Sequence, residues 1–129
     1  MPTKLLLGVA SALIPSLAEA QSMSPMRGEI NSFTDKFAVR VYPANPYKHR
    51  IKVQIKVYDQ DFQPISSARV SPSEFMLGAN GKRSVLVVVP FDGEGERKVR
   101  VCTESVPYEN ENSNIKAQIC GKFLGQRRL

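Results

Sequence analysis

The chain has 129 residues, room for one domain, and 18 lysines and arginines against 12 acids give it a formal net charge of +6. The basic residues are spread along several strand-like stretches, with no RNA-binding motif and no aromatic interleaving, which argues against nucleic acid. Two cysteines and one histidine cannot supply the four ligands of a structural zinc site.

The chain opens on a targeting pattern. Lys4 supplies a short positive region, an apolar run follows, and Ala18-Glu19-Ala20 has the small-x-small form that signal peptidase cuts. The expected division is a signal peptide over residues 1–20 and a mature domain over residues 21–129. The apolar run is too short and too interrupted for a membrane span. Lys4 and Glu19 cancel, so the mature domain keeps the whole positive charge. That charge reads as a solvated face or, more sharply, as a surface that attracts an acidic partner or a C-terminal carboxylate.

From residue 24 onward the pattern is one of strands. SPMRGEI (24–30) reads as a short first strand. FAVRVY (37–42) alternates, with Phe37, Val39 and Val41 on one face, and PANPYKH (43–49) reads as a turn. RIKVQIKVYD (50–59) sets Ile51, Val53, Ile55 and Val57 against Lys52, Gln54 and Lys56, the period of two of an antiparallel strand with one wet face. Short strands are expected near Ala68–Val70 and Glu74–Leu77, with an Asn-Gly turn at 78–82. RSVLVVVP (83–90) is almost wholly apolar, so a central strand buried on both faces is expected. FDGEGE (91–96) is a turn, and RKVRVCTE (97–104) and NIKAQICGKFL (114–124) are the last two strands. About seven short strands with regular turns predict an all-β, single-domain immunoglobulin-like β-sandwich.

The two cysteines sit on those last strands. They lie too far apart in sequence for a CxxC redox site, and an exported chain with an even count favours one bridge. Val99 and Val101 face the core, so Cys102 lies on the other face with Arg100 and Glu104. Ile115, Ala117 and Ile119 face the core, so Cys120 lies opposite with Lys116, Gln118 and Lys122. An antiparallel hairpin with Cys102 opposite Cys120 pairs Val101 with Gly121, Val99 with Phe123 and Thr103 with Ile119. Both sulfurs then leave the same outer face at bridging distance.

The ordered set SPMRGEI, FAVRVYPANPYKHRIKVQIKVYDQD, VSPSEFMLGANGKRSVLVVVP and VCTESVP resembles the N-terminal domain of the periplasmic pilus-assembly chaperones, the PapD-like immunoglobulin fold. The likeness spans residues 24–107, and the final strand extends it to about 124. It implies a periplasmic, non-enzymatic protein that lends its last strand to an unfinished pilin-like or secreted subunit, with an usher as a further partner. Ile115, Ala117 and Ile119 would be the donor side chains; the competing reading gives them to this protein's own core. It also implies a two-cation anchor for the subunit's terminal carboxylate. Arg27 matches the first cation, while Cys120 stands where the family has a lysine, so Lys122 or Lys116 has to substitute. Cys102–Cys120 resembles a disulfide that some members carry, and Pro107 resembles a proline after the penultimate strand. The family has two sandwich domains, and only the first is expected here.

Other motifs are set aside. Asp59-Gln60-Asp61 and Asp92-Gly93-Glu94-Gly95-Glu96 lack the ligand spacing of a calcium loop, and turn chemistry explains them. His49 sits in a polar turn without a triad context. No catalytic residues, metal or cofactor are expected. The alternative function is a secreted structural or adhesive module that binds a surface ligand or self-associates, as a homodimer formed by edge-strand pairing.

Overall fold

A computed structural model describes residues 22–106 and 117–128. The expected signal peptide, the Asn-rich stretch YENEN (108–112), Pro107, Ile115 and Lys116 lie outside the described residues.

Among the described residues nine strands form in chain order: β1 (Ser22–Ser24), β2 (Arg27–Ser32), β3 (Lys36–Ala44), β4 (Ile51–Asp59), β5 (Arg69–Ser71), β6 (Glu74–Leu77), β7 (Val85–Pro90), β8 (Glu96–Val106) and β9 (Ala117–Arg127). They build a four-stranded sheet, β1-β3-β7-β5, and a five-stranded sheet, β2-β9-β8-β4-β6. The all-β sandwich expected from the sequence is therefore present, with nine strands in place of seven.

The chain changes sheet at two prolines, and at the first of them one expected strand becomes two. SPMRGEI is two strands. β1 pairs antiparallel with β3, and β2 then crosses to the other sheet and runs parallel to β9. Pro25 stands at the crossing and has no N–H to carry a ladder onward. Pro72 does the same between β5, which pairs with β7, and β6, which pairs with β4. Both Ser24–Pro25 and Ser71–Pro72 are cis.

Alternation builds the core. Phe37, Val39 and Val41 on β3, Val53 and Ile55 on β4, Val85, Val87 and Val89 on β7, and Val99 and Val101 on β8 are buried in one cluster. Each fully buried valine of this kind contributes roughly 1.5–3 kcal/mol against exposure. The run RSVLVVVP departs from expectation. Its odd-numbered valines are buried, but Leu86, Val88 and Pro90 are only half-buried, because among the described residues nothing covers the outer face of the four-stranded sheet. The turn expected at 43–49 also begins later, since Pro43 and Ala44 still belong to β3. Its Asn45 is buried and ties three segments together. Its side-chain amide donates to the carbonyls of His49, Leu77 and Gly78 at 2.8, 3.1 and 3.0 Å, and its oxygen accepts from Tyr47 N–H at 2.9 Å.

Gly125 on β9 marks a close approach. A β-carbon there would lie inside the van der Waals envelope of the Phe37 ring. Gly125→Ala is expected to destabilise the fold by about 1–3 kcal/mol through overpacking, whereas Gly95→Ala, which meets nothing within 4 Å, should change it by less than about 0.5 kcal/mol. Urea denaturation of both variants checks the contrast.

Candidate functional site

The site is built on β9, whose two halves have different neighbours. β8 pairs with β9 along its whole length, from Ser105↔Ala117 to Glu96↔Gln126. On the other side, β2 covers only Lys122–Arg127. The second half of β9 is therefore an inner strand. The first half, residues 117–121, has β8 on one side and, among the described residues, no strand on the other.

Direction can be assigned to the open edge. Lys122 N–H donates to the Met26 carbonyl at 2.9 Å, so its backbone groups point away from β8. Backbone groups alternate along a strand, which turns those of Gln118 and Cys120 the same way. Gly121 and Ile119 then bond to β8. The disulfide agrees. Cys102 and Cys120 form a non-hydrogen-bonded pair with Cα atoms 4.0 Å apart, closer than hydrogen-bonded pairs sit.

The register derived from parity is the one observed. Cys102 pairs with Cys120, Val101 with Gly121, Val99 with Phe123 and Thr103 with Ile119. The bridge itself is formed, with the S–S bond at 2.05 Å. Cys102 projects from the outer face yet has no exposure, because that face is crowded. Beside it Glu104 is buried in a polar cluster, accepting from the Gln118 amide at 2.8 Å and pairing with Lys56 at 3.5 Å. On the same face, at the sheet's far edge, Glu74 is held below the usual carboxylate range, chiefly by a hydrogen bond from Gln54 and next by Lys52.

Of the expected donor side chains, Ile119 is partly buried against the core and Ala117 is half-buried. Ile115 lies outside the described residues. The two expected anchor cations come together. Arg27 and Lys122 are direct register partners across the β2–β9 pair, and both are exposed. They line a surface depression of about 650 Å³ with Glu29, Lys98 and Arg100. Arg100 was not among the expected site residues. The hairpin register already placed it opposite Lys122, so the signal was there to use. Phe62, which supports Arg100 from a loop, had no such signal.

No protein-family model matches the chain, and no curated protein matches it. Solved structures do. A chain in the structure of the Salmonella enterica SafA pilin in complex with the SafB chaperone aligns with a TM-score of 0.69 at 24% identity, over 88% of this chain and 57% of that one. The E. coli chaperone DraB gives 0.68 at 18% identity, over 84% of this chain and 55% of that one. The ASH/PapD-like domain of human CEP192 gives 0.63 at 14% identity, over 93% of this chain and 96% of that domain. The chain adopts the PapD-like immunoglobulin fold. It spans little more than half the length of the two bacterial chains.

The bridge ties β8 to the first half of β9. Replacing both cysteines, as Cys102→Ala/Cys120→Ala, is expected to cost about 3 kcal/mol for a loop of this length. Urea denaturation under non-reducing conditions measures the loss, and a change below about 1 kcal/mol would contradict a structural bridge.

Proposed function

We propose that this chain is a periplasmic chaperone-like protein that captures unfinished pilus-type or other secreted subunits by β-strand addition to the open half of β9. The observation that carries this reading is the edge at Gln118 and Cys120, which no described strand covers, beside the register partners Arg27 and Lys122. An edge with unpaired backbone groups invites another chain. Strand addition supplies main-chain hydrogen bonds for affinity, and alternate side chains fill pockets for specificity.

The parts of the site have separate roles. Gln118 and Cys120 offer backbone N–H and C=O groups to the incoming strand. Ala117 and Ile119, with Ile115 upstream, present the apolar side chains. Arg27 and Lys122 hold the partner's terminal carboxylate, the guanidinium through two parallel hydrogen bonds. The disulfide keeps the edge extended before the partner arrives, which lowers the ordering cost of capture. The function asks for no catalysis, cofactor or metal. Likeness to the SafB–SafA complex and to DraB supports a protein partner; delivery to an usher belongs to the same reading. The same edge also suits a second copy of this chain. Self-pairing is the competing reading, favoured by the open edge alone and indifferent to Arg27.

Gln118→Pro, read against Gln118→Ala, separates edge from fold, because both lose the amide bond to Glu104 and only proline loses the N–H that points away from β8. Co-expression in the periplasm with a pilin-type subunit lacking its own last strand, followed by co-purification, is the test. Gln118→Pro and Arg27→Ala are each expected to lower recovery of a one-to-one complex at least tenfold, with melting temperature shifted by only a few degrees. Undiminished complex, or a homodimer that Arg27→Ala leaves intact, overturns the chaperone reading.

A further inference from the structure

The cations of the site form a row. Arg27 on β2 pairs with Lys122 on β9, and Lys122 pairs with Arg100 on β8. Three positive side chains thus stand side by side on three adjacent strands, about 4.8 Å apart from one strand to the next. Lys98 sits on β8 one row along, beyond Leu124. Like charges directly opposite one another oppose folding. Among the described residues none of these four makes an ion pair, although Glu29 stands one row from Arg27. Among the described residues, no acid forms an ion pair that offsets this row.

Arg100 is not a loose surface arginine. Its guanidinium lies 4.2 Å from the centre of the Phe62 ring, and one Nη donates to the Gln60 carbonyl at 3.2 Å. Phe62 holds that position with φ of +60°, a left-handed conformation that bulky residues avoid. The turn enforces it. Asp59 Oδ1 accepts from the N–H groups of Asp61 and Gln63 at 2.8 and 3.0 Å, and the Asp59 carbonyl accepts from Phe62 N–H at 3.1 Å. The ring is nonetheless 48% exposed, so burying it is not what the strained turn achieves. Strain of this kind, held in place by surrounding bonds, collects at functional sites. Here it places an aromatic face against the third cation of the row.

We propose that Arg27, Lys122 and Arg100 together form a dicarboxylate site, selective for two carboxylates about one strand spacing apart. A chain ending in Asp or Glu carries that pair on its last residue, as does a free four- or five-carbon diacid. One carboxylate lies between Arg27 and Lys122, and the second between Lys122 and Arg100. A compact oxyanion reaches only one neighbouring pair at a time. The inference deepens the carboxylate-anchor reading above and rests on it for the Arg27–Lys122 pair. Arg100 sets selectivity, and Phe62 acts as a positioning residue through it.

Titration of the intact protein with succinate, acetate and sulfate, followed by backbone and arginine side-chain NMR shifts, tests the site without any subunit. Succinate is expected to bind at least tenfold more tightly than acetate and more tightly than sulfate. Arg100→Gln should bring succinate to the acetate level while leaving acetate unchanged. Phe62→Gly, which removes the ring and relieves the positive φ, should lower the succinate preference several-fold without lowering the melting temperature. Equal binding of succinate and acetate, tighter sulfate, or equal losses for both carboxylates in Arg100→Gln would overturn the proposal. Ten-residue peptides differing only in a terminal Asp or Asn then separate the sources. A preference for Asp puts the second carboxylate on a chain terminus, and equal binding puts it on a free diacid. Failure of the succinate arm leaves strand addition standing, and failure of subunit capture leaves the anion selectivity standing.

Discussion

The seam between β2 and the second half of β9 is the constraint on which the rest depends. It begins at the bond from Lys122 N–H to the Met26 carbonyl and runs to the bond from Arg128 N–H to the Ser32 carbonyl. Upstream of Met26 stands Pro25, which has no N–H to extend the ladder, and the chain leaves for the other sheet. The seam therefore stops at one residue. The rest of β9 after it lies between two strands, and before it no described strand lies beside Gln118 and Cys120 on that side. Gly121 makes the close start of the seam possible, since a β-carbon there would meet the Met26 carbonyl at 3.0 Å. The same seam sets Arg27 against Lys122, so the open edge and the cation pair follow from a single register.

The outer face of the five-stranded sheet shows how charge is divided along that register. Towards the hairpin end, acids are matched. Glu104 takes Lys56 and the Gln118 amide, and Glu74 takes Lys52 and the Gln54 amide. The exposed Lys52–Glu74 pair adds little to stability, and both pairs match an acid to a cation at that end. Towards the seam the pattern changes to Arg27, Lys98, Arg100 and Lys122 around a single acid, Glu29, with no ion pair among the described residues. In the proposed function, this positive patch would steer an anionic partner to that end of the face, next to the Gln118 and Cys120 edge.

Much of this was legible in the sequence because alternation has a period of two and a hairpin allows one register. Setting Cys102 against Cys120 fixed the partners of Val99, Val101 and Thr103, and by the same rule it fixed Arg100 against Lys122. The alternation of β4 and β3 was equally plain. Three things were not legible. The crossing at Pro25 turned one expected strand into two, because periodicity says which face a residue occupies and not which sheet it joins. The run RSVLVVVP looked buried on both faces, because apolar content alone does not say whether a second layer covers the sheet. The placement of Phe62 under Arg100 depends on a loop conformation that Asp59 enforces through backbone bonds, and no spacing in the sequence records it. The anchor cations were named from a resemblance, and the structure adds that Arg27 and Lys122 are neighbours.

The central claim is that the backbone groups of Gln118 and Cys120 on β9 face away from β8, on a side that no described strand covers. Hydrogen exchange of individual backbone amides in the free protein tests it most directly. The account predicts protected amides at Ile119 and Gly121, which face β8, and fast exchange at Gln118 and Cys120, which face outward. Strong protection of Gln118 and Cys120 in the monomer would contradict it, because the edge would then already be closed by the protein's own chain.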